Sequence, residues 1–214
     1  MHKNTWILLG VWSCLIVCAG DFIVTFFLGI FYPGYNSLKQ SMSVLGTSQS
    51  PVAYGMVLWG FVFSMLFILF ATGFRKAFPS DNRAIQIVYW LIILYGLGEG
   101  VGSGLFPYDK VGTTLSTSAV LHSLFDAIAT VALMAIPFVM LYFFNQQNFL
   151  KLHTISIIVT SIGLIMIVLF SFSKLDAVQG TLFANRGLWQ RLFLFDYYVY
   201  LGTLSFFMKP VAGE

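Results

Sequence analysis

Leu115–Phe144 reads LSTSAVLHSLFDAIATVALMAIPFVMLYFF. The stretch contains no Lys, Arg or Glu, and it is long enough for a helix to cross the roughly 30 Å hydrocarbon layer of a bilayer. Its two ionisable residues, His122 and Asp126, stand four apart and so share a helix face. Ser118 precedes them by one turn and Thr130 follows by one turn. The result is a single polar stripe on an otherwise apolar helix.

Five further apolar runs surround it, at about 5–31, 52–73, 84–106, 152–172 and 188–208. Pro33-Gly34, FRKAFPSDNR, Pro107, NQQN and SKLDAVQGTLFANRG punctuate them. Alternation of period two is absent, which argues for helices rather than a barrel. The chain of 214 residues is 58% hydrophobic and 9% charged, with mean hydropathy +0.87. A soluble domain carries about 25% charged residues, so the bilayer must serve as solvent and backbone polar groups must pair within the chain. The sequence therefore predicts an all-α integral membrane protein. Its expected form is a six-transmembrane-helix bundle in one transmembrane domain over 1–214. Membrane lipid is the expected partner. Net charge is +3 without a basic cluster, so nucleic acid is not.

Lys3 followed by an apolar run resembles a secretion signal, and LIVC at Leu15–Cys18 resembles a lipoprotein cleavage box. Val17 is larger than the small residue such a box requires, so the segment reads as an uncleaved first span. Cys14 and Cys18, one turn apart, fit poorly to disulfide geometry and read as packing residues. Arg75, Lys76 and Arg83 flank two expected spans closely. By the positive-inside rule they place both termini in the cytoplasm. The multi-pass chain is expected in the plasma (inner) membrane, with its longer and more polar loops outside. His2 and His153 fall at the expected cytoplasmic ends.

Asp21, Glu99, His122, Asp126 and Asp196 lie within expected spans. A carboxylate at mid-bilayer costs at least about 2.5 kcal/mol on insertion scales, so such residues pair, line a cavity or work. Helix rise puts Glu99, His122, Asp126 and Asp196 roughly 9–17 Å below the outer surface, with Asp21 near the same level. One outward-facing polar pocket is therefore expected. Within YGLGEGVGSGLFPYD (Tyr95–Asp109), Gly96, Gly100 and Gly104 form one line of small residues, and Gly98 and Gly102 form a second. Both suit close helix packing. Arg186, Gln190 and Arg191 open the last run. With Asp109, they are candidates to pair with the buried acids or to bind an anionic headgroup.

Four landmarks occur in order. They are SMSVLGTSQSP at Ser41–Pro51, GSGLFPYD at Gly102–Asp109, His122, and GLWQR at Gly187–Arg191. Together they resemble a bacterial six-span family known as domain of unknown function 998. The resemblance implies fold and topology but no reaction. The chain is more loosely similar to membrane hydrolases that hold zinc, such as alkaline ceramidases and progestin/adiponectin receptor relatives. Those carry an HxxxH pair on the last helix, where this chain has no histidine. One imidazole with three carboxylates is a poor zinc set, so metal and cofactor stay open.

Three functions fit these residues. The first is an enzyme acting on a lipid or hydrophobic substrate. In it His122 is general base, Asp126 orients it, Glu99 or Asp196 is acid or stabiliser, and Asp109, Arg186, Gln190, Arg191 and Asp21 contact substrate. The second is a small-molecule or proton-coupled transporter. The third is a structural membrane partner.

Overall fold

The computed structural model describes residues 3–78, 81–111, 114–143 and 150–208. His2 and Lys209 lie outside them. Among the described residues there are six long helices: α1 (Lys3–Ile30), α2 (Ala53–Ala77), α3 (Arg83–Gly96, continued by a wider π-helical stretch, Leu97–Ser103), α4 (Thr117–Phe143), α5 (Leu150–Phe172) and α6 (Arg186–Phe206). A two-residue antiparallel ribbon, β1 (Lys110–Val111) with β2 (Thr114–Leu115), joins α3 to α4.

Each helix packs on the next, and α6 returns to α1, so the six close into a ring. Burial follows that ring. Phe63, Phe67, Phe70 and Phe74 recur on one face of α2 and pack inward, and Phe63 and Phe67 meet Tyr95 edge-on. Large apolar residues such as Trp12, Phe26, Trp90, Val131 and Phe138 point outward instead. An apolar exterior of this kind is stable only where lipid covers it.

Among the described residues, α1 to α5 (α3 with its π-helical extension) are long and apolar enough to cross a membrane. The more polar α6 is not among them. It carries Arg186, Gln190, Arg191 and Asp196, and its Tyr197, Tyr198 and Tyr200 are buried in the ring.

The two glycine lines on α3 face different neighbours. A Cβ on Gly100 would strike the Ser64 hydroxyl and the Gly60 carbonyl of α2. One on Gly98 would meet Ala129 of α4 at 3.1 Å, and one on Gly102 the Phe125 ring at 2.7 Å. Gly104 has nothing within 4 Å, so the first line stops at Gly100. Ser64 completes this contact by donating to Gly96 O at 2.7 Å. The π-helical stretch thus lies wedged between α2 and α4, and Glu99 is carried on it. Such wide turns are frequent at functional sites.

Candidate functional site

The loop segments 31–52, 104–111 and 173–185 gather at one end of the ring, and polar side chains collect beneath them. A chamber of about 70 Å³ is lined there by Asp21, Trp59, Glu99, Ser103 and His122. Met42, Ser43 and Gly46 of the first loop close its top.

Asp21 is 8% exposed. Trp59 donates its indole N–H to Oδ1 at 2.9 Å, and Tyr198 donates its hydroxyl to Oδ2 at 2.9 Å. Tyr95 lies 2.8 Å from the Tyr198 oxygen. The Tyr198 proton is committed to Asp21, so Tyr95 is the donor in that contact. Four helices are tied together through this one carboxyl.

His122 is held by the backbone. Its Nδ1 is 2.9 Å from Ser103 O and 2.8 Å from Phe106 O. Both partners are acceptors only, so Nδ1 carries the proton and shares it between them. Nε2 is then the basic nitrogen, and among the described residues it has no hydrogen-bond partner. The Tyr108 ring packs beside the imidazole at 5.5 Å between centroids.

The structure gives Asp126 a different partner from the one expected. Its carboxyl hydrogen-bonds with Glu99, and His122 acts on it only through charge. The spacing of four places both side chains on one face, but successive positions at that spacing drift around the helix by about 40°. Here that drift separates them. Asp126 lines a second space, a groove of about 300 Å³ between α4, α5 and α6. Glu99 and Leu194 line both the chamber and the groove, so Glu99 stands at their junction. Ala127 and Val131, on the groove wall, are exposed on the outside of the ring.

Asp196 is not brought to either space. Its Oδ2 is buried and, among the described residues, has no hydrogen-bond partner. Asp109, Gln190 and Arg191 build the roof. Asp109 accepts from the Ser48 backbone N–H at 3.0 Å and from the Ser48 hydroxyl. Gln190 Oε1 accepts from Met42 N at 2.8 Å. The Arg191 guanidinium donates to Ser37 O, Gln40 O and Gly187 O, and to the Tyr35 hydroxyl at 2.7 Å. Burial raises the Tyr35 hydroxyl above its usual pKa, with Arg191 opposing the rise. Gly187 permits the closure, since a Cβ there would strike the Ser37 and Gln40 carbonyls. The Arg186 side chain lies over the Phe170 ring at 4.8 Å.

Trp59, Tyr95 and Tyr198 are site residues that the sequence reading missed. Each is an aromatic in an apolar run, which marks packing or the interface as readily as a site. Only the position of Asp21 on the neighbouring helix separates these meanings. Among the described residues, no group of three or more His, Cys, Asp or Glu is arranged to hold a metal.

A closed helical ring with a membrane-type exterior and an internal polar chamber defines the class: an α-helical membrane protein with a buried polar site. The chain belongs to the family described as Protein of unknown function (DUF998), whose model matches residues 15–206. No curated protein and no solved structure matches it. The four sequence landmarks converge on the chamber. The first-loop landmark supplies its roof, the α6 landmark and Asp109 hold that roof, and Ser103 and Phe106 hold His122.

Proposed function

We propose that the protein is a six-span membrane enzyme that acts on a lipid-like substrate. The substrate enters by the α4–α5–α6 groove and reacts where Glu99 separates groove from chamber. The observation that carries this reading is the His122 imidazole. Two carbonyls fix its tautomer and leave Nε2 as a base in a chamber that also holds Asp21 and Glu99. General bases of this kind contribute about 10²–10⁴-fold. In a hydrolytic step, a water oxygen attacks the substrate while its proton passes to His122 Nε2. The bond to the leaving group breaks, and the leaving group takes a proton from the Glu99–Asp126 pair. Asp126 positions Glu99 in this scheme, and Asp196 has no part. The sixth span is α6, whose polar residues face the ring and its roof, and the roofed end faces outward.

Purified protein in lipid nanodiscs, incubated with a panel of fluorescent phospholipids and followed by mass spectrometry, tests the assignment. His122→Gln is expected to lower turnover by about 100-fold or more. Unchanged turnover would remove His122 from the mechanism.

One observation favours proton-coupled transport as the second reading. Tyr95 lines the groove and Asp21 lines the chamber, and Tyr198 connects them by hydrogen bonds. Proton flux into dye-loaded liposomes that disappears in Glu99→Gln and Tyr198→Phe would support it. Flux that survives both substitutions would end it.

A further inference from the structure

The mouth of the groove carries more positive charge than its surroundings use. Lys174 Nζ lies 5.3 Å from the centre of the Phe170 ring, and the Arg186 guanidinium lies 4.8 Å from the same centre. The two cations are therefore within about 10 Å of each other, a distance at which like charges still repel in a poorly solvated site. Asp126 is near enough to act on both through charge, but its carboxyl is committed to Glu99. The Arg186 Nε is buried and has no hydrogen-bond partner among the described residues. Gln190 spends its carbonyl on Met42 N, which leaves its two amide hydrogens on a residue that lines the groove. Below these donors the wall turns apolar, with Val131, Met134 and Ile167.

We propose that Lys174, Arg186 and Gln190 form a headgroup site for a phosphate-bearing amphiphile whose acyl chain lies in the groove between α4 and α5. The proposal rests on the lipid-enzyme reading and names its substrate class. Two cations and an amide donor match the charge and the acceptor oxygens of a phosphate. The apolar wall beneath them matches a chain, and a free inorganic phosphate would leave that wall unused. Both cations also sit just beyond the apolar body of α5 or at the first turn of α6, at the level where headgroups lie.

The test uses full-length His122→Gln protein in a neutral maltoside detergent, so that binding is read without turnover. Dodecyl phosphate, inorganic phosphate and dodecanol are titrated separately by calorimetry. Dodecyl phosphate is expected to bind saturably and at least tenfold more tightly than either of the others. Lys174→Gln with Arg186→Gln is expected to weaken it at least tenfold. Val131→Trp, which fills the groove from the lipid side and leaves the cations in place, is expected to weaken it too. Equal binding of inorganic phosphate overturns the amphiphile, and equal binding of dodecanol overturns the headgroup site. Unchanged affinity in the double variant or in Val131→Trp overturns the location. Binding that persists without His122 leaves the catalytic assignment to the turnover experiment, so the two can fail separately.

Discussion

Tyr198 donates its hydroxyl to Asp21 Oδ2 at 2.9 Å, across the contact of α6 with α1. Trp59 occupies the other oxygen from α2, and Tyr95 of α3 stands behind Tyr198. The buried acid thus accepts from two fixed donors. Asp21→Asn keeps shape and volume but presents an NH₂ to one of them. It is expected to destabilise by about 1–2 kcal/mol, the upper range for polar contacts in membrane helices. Thermal unfolding in detergent measures this. A stability equal to that of the parent chain would show that the donors do not depend on the carboxylate.

Close packing of α3 on α2 is expected to be intolerant at one glycine and permissive at another. Gly100→Ala forces the Ser64 hydroxyl and the Gly60 carbonyl apart, whereas Gly104→Ala enters open space. The first should cost about 1–3 kcal/mol, in the range for overpacking. The second should stay within about 0.5 kcal/mol. Parallel melting curves check the contrast, and equal losses at both positions would refute the α2–α3 wedge.

The layer of polar groups was legible in the sequence because depth along a helix follows from counting residues. Asp21, Glu99 and His122 do line one chamber. Azimuth around the helix was not legible to the same accuracy. Asp126 shares a face with His122 in an ideal helix, yet it falls on the groove side of Glu99. Asp196 sits at a suitable depth but turns away from both spaces. The roof was the least legible part. Arg191 looks like a headgroup ligand until the first loop is folded back on α6, where the guanidinium meets backbone carbonyls. No helical periodicity encodes that return, and only the glycine at 187 hints at a close approach.

Loosening the roof should expose the first loop without unfolding the ring. Arg191→Ala removes the donors to Ser37, Gln40 and the Tyr35 hydroxyl, and Gln190→Ala frees Met42 N. Hydrogen exchange of residues 35–46 is expected to rise by about tenfold or more in each variant. That corresponds to roughly 1.4 kcal/mol of local protection. Exchange in α2 should not change. A rise spread equally over α2 would mean that these residues support the whole bundle rather than the roof.

Lys174 should make stability rise with pH in the alkaline range. Burial lowers its pKa from the ordinary 10.5, the Arg186 charge lowers it further, and Asp126 opposes both. Between the lowered folded value and 10.5 the unfolded chain binds more protons at this site than the folded chain. Stability therefore climbs as pH rises through that window. Lys174→Gln should remove this contribution and make the slope less positive. Chemical unfolding of both proteins across that range decides it, and an identical slope in the variant would assign the effect elsewhere. Arg186→Gln should raise the Lys174 pKa, because it removes the neighbouring like charge while leaving burial in place.

The tautomer of His122 is the most direct check on the site. Ser103 O and Phe106 O both accept, so only an Nδ1–H satisfies them. The opposite tautomer would set a nitrogen lone pair against two carbonyl oxygens, at the cost of a buried unmet acceptor and electrostatic repulsion. Solid-state NMR of ¹⁵N-histidine-labelled protein should therefore show one histidine whose Nδ1 is protonated and hydrogen-bonded to backbone carbonyls. His122→Gln should remove that signal and leave those of His2 and His153. A protonated Nε2 with a bare Nδ1 would reverse the roles of the two nitrogens. The base would then point at the backbone, and the chamber would contain no nitrogen able to take a proton from water.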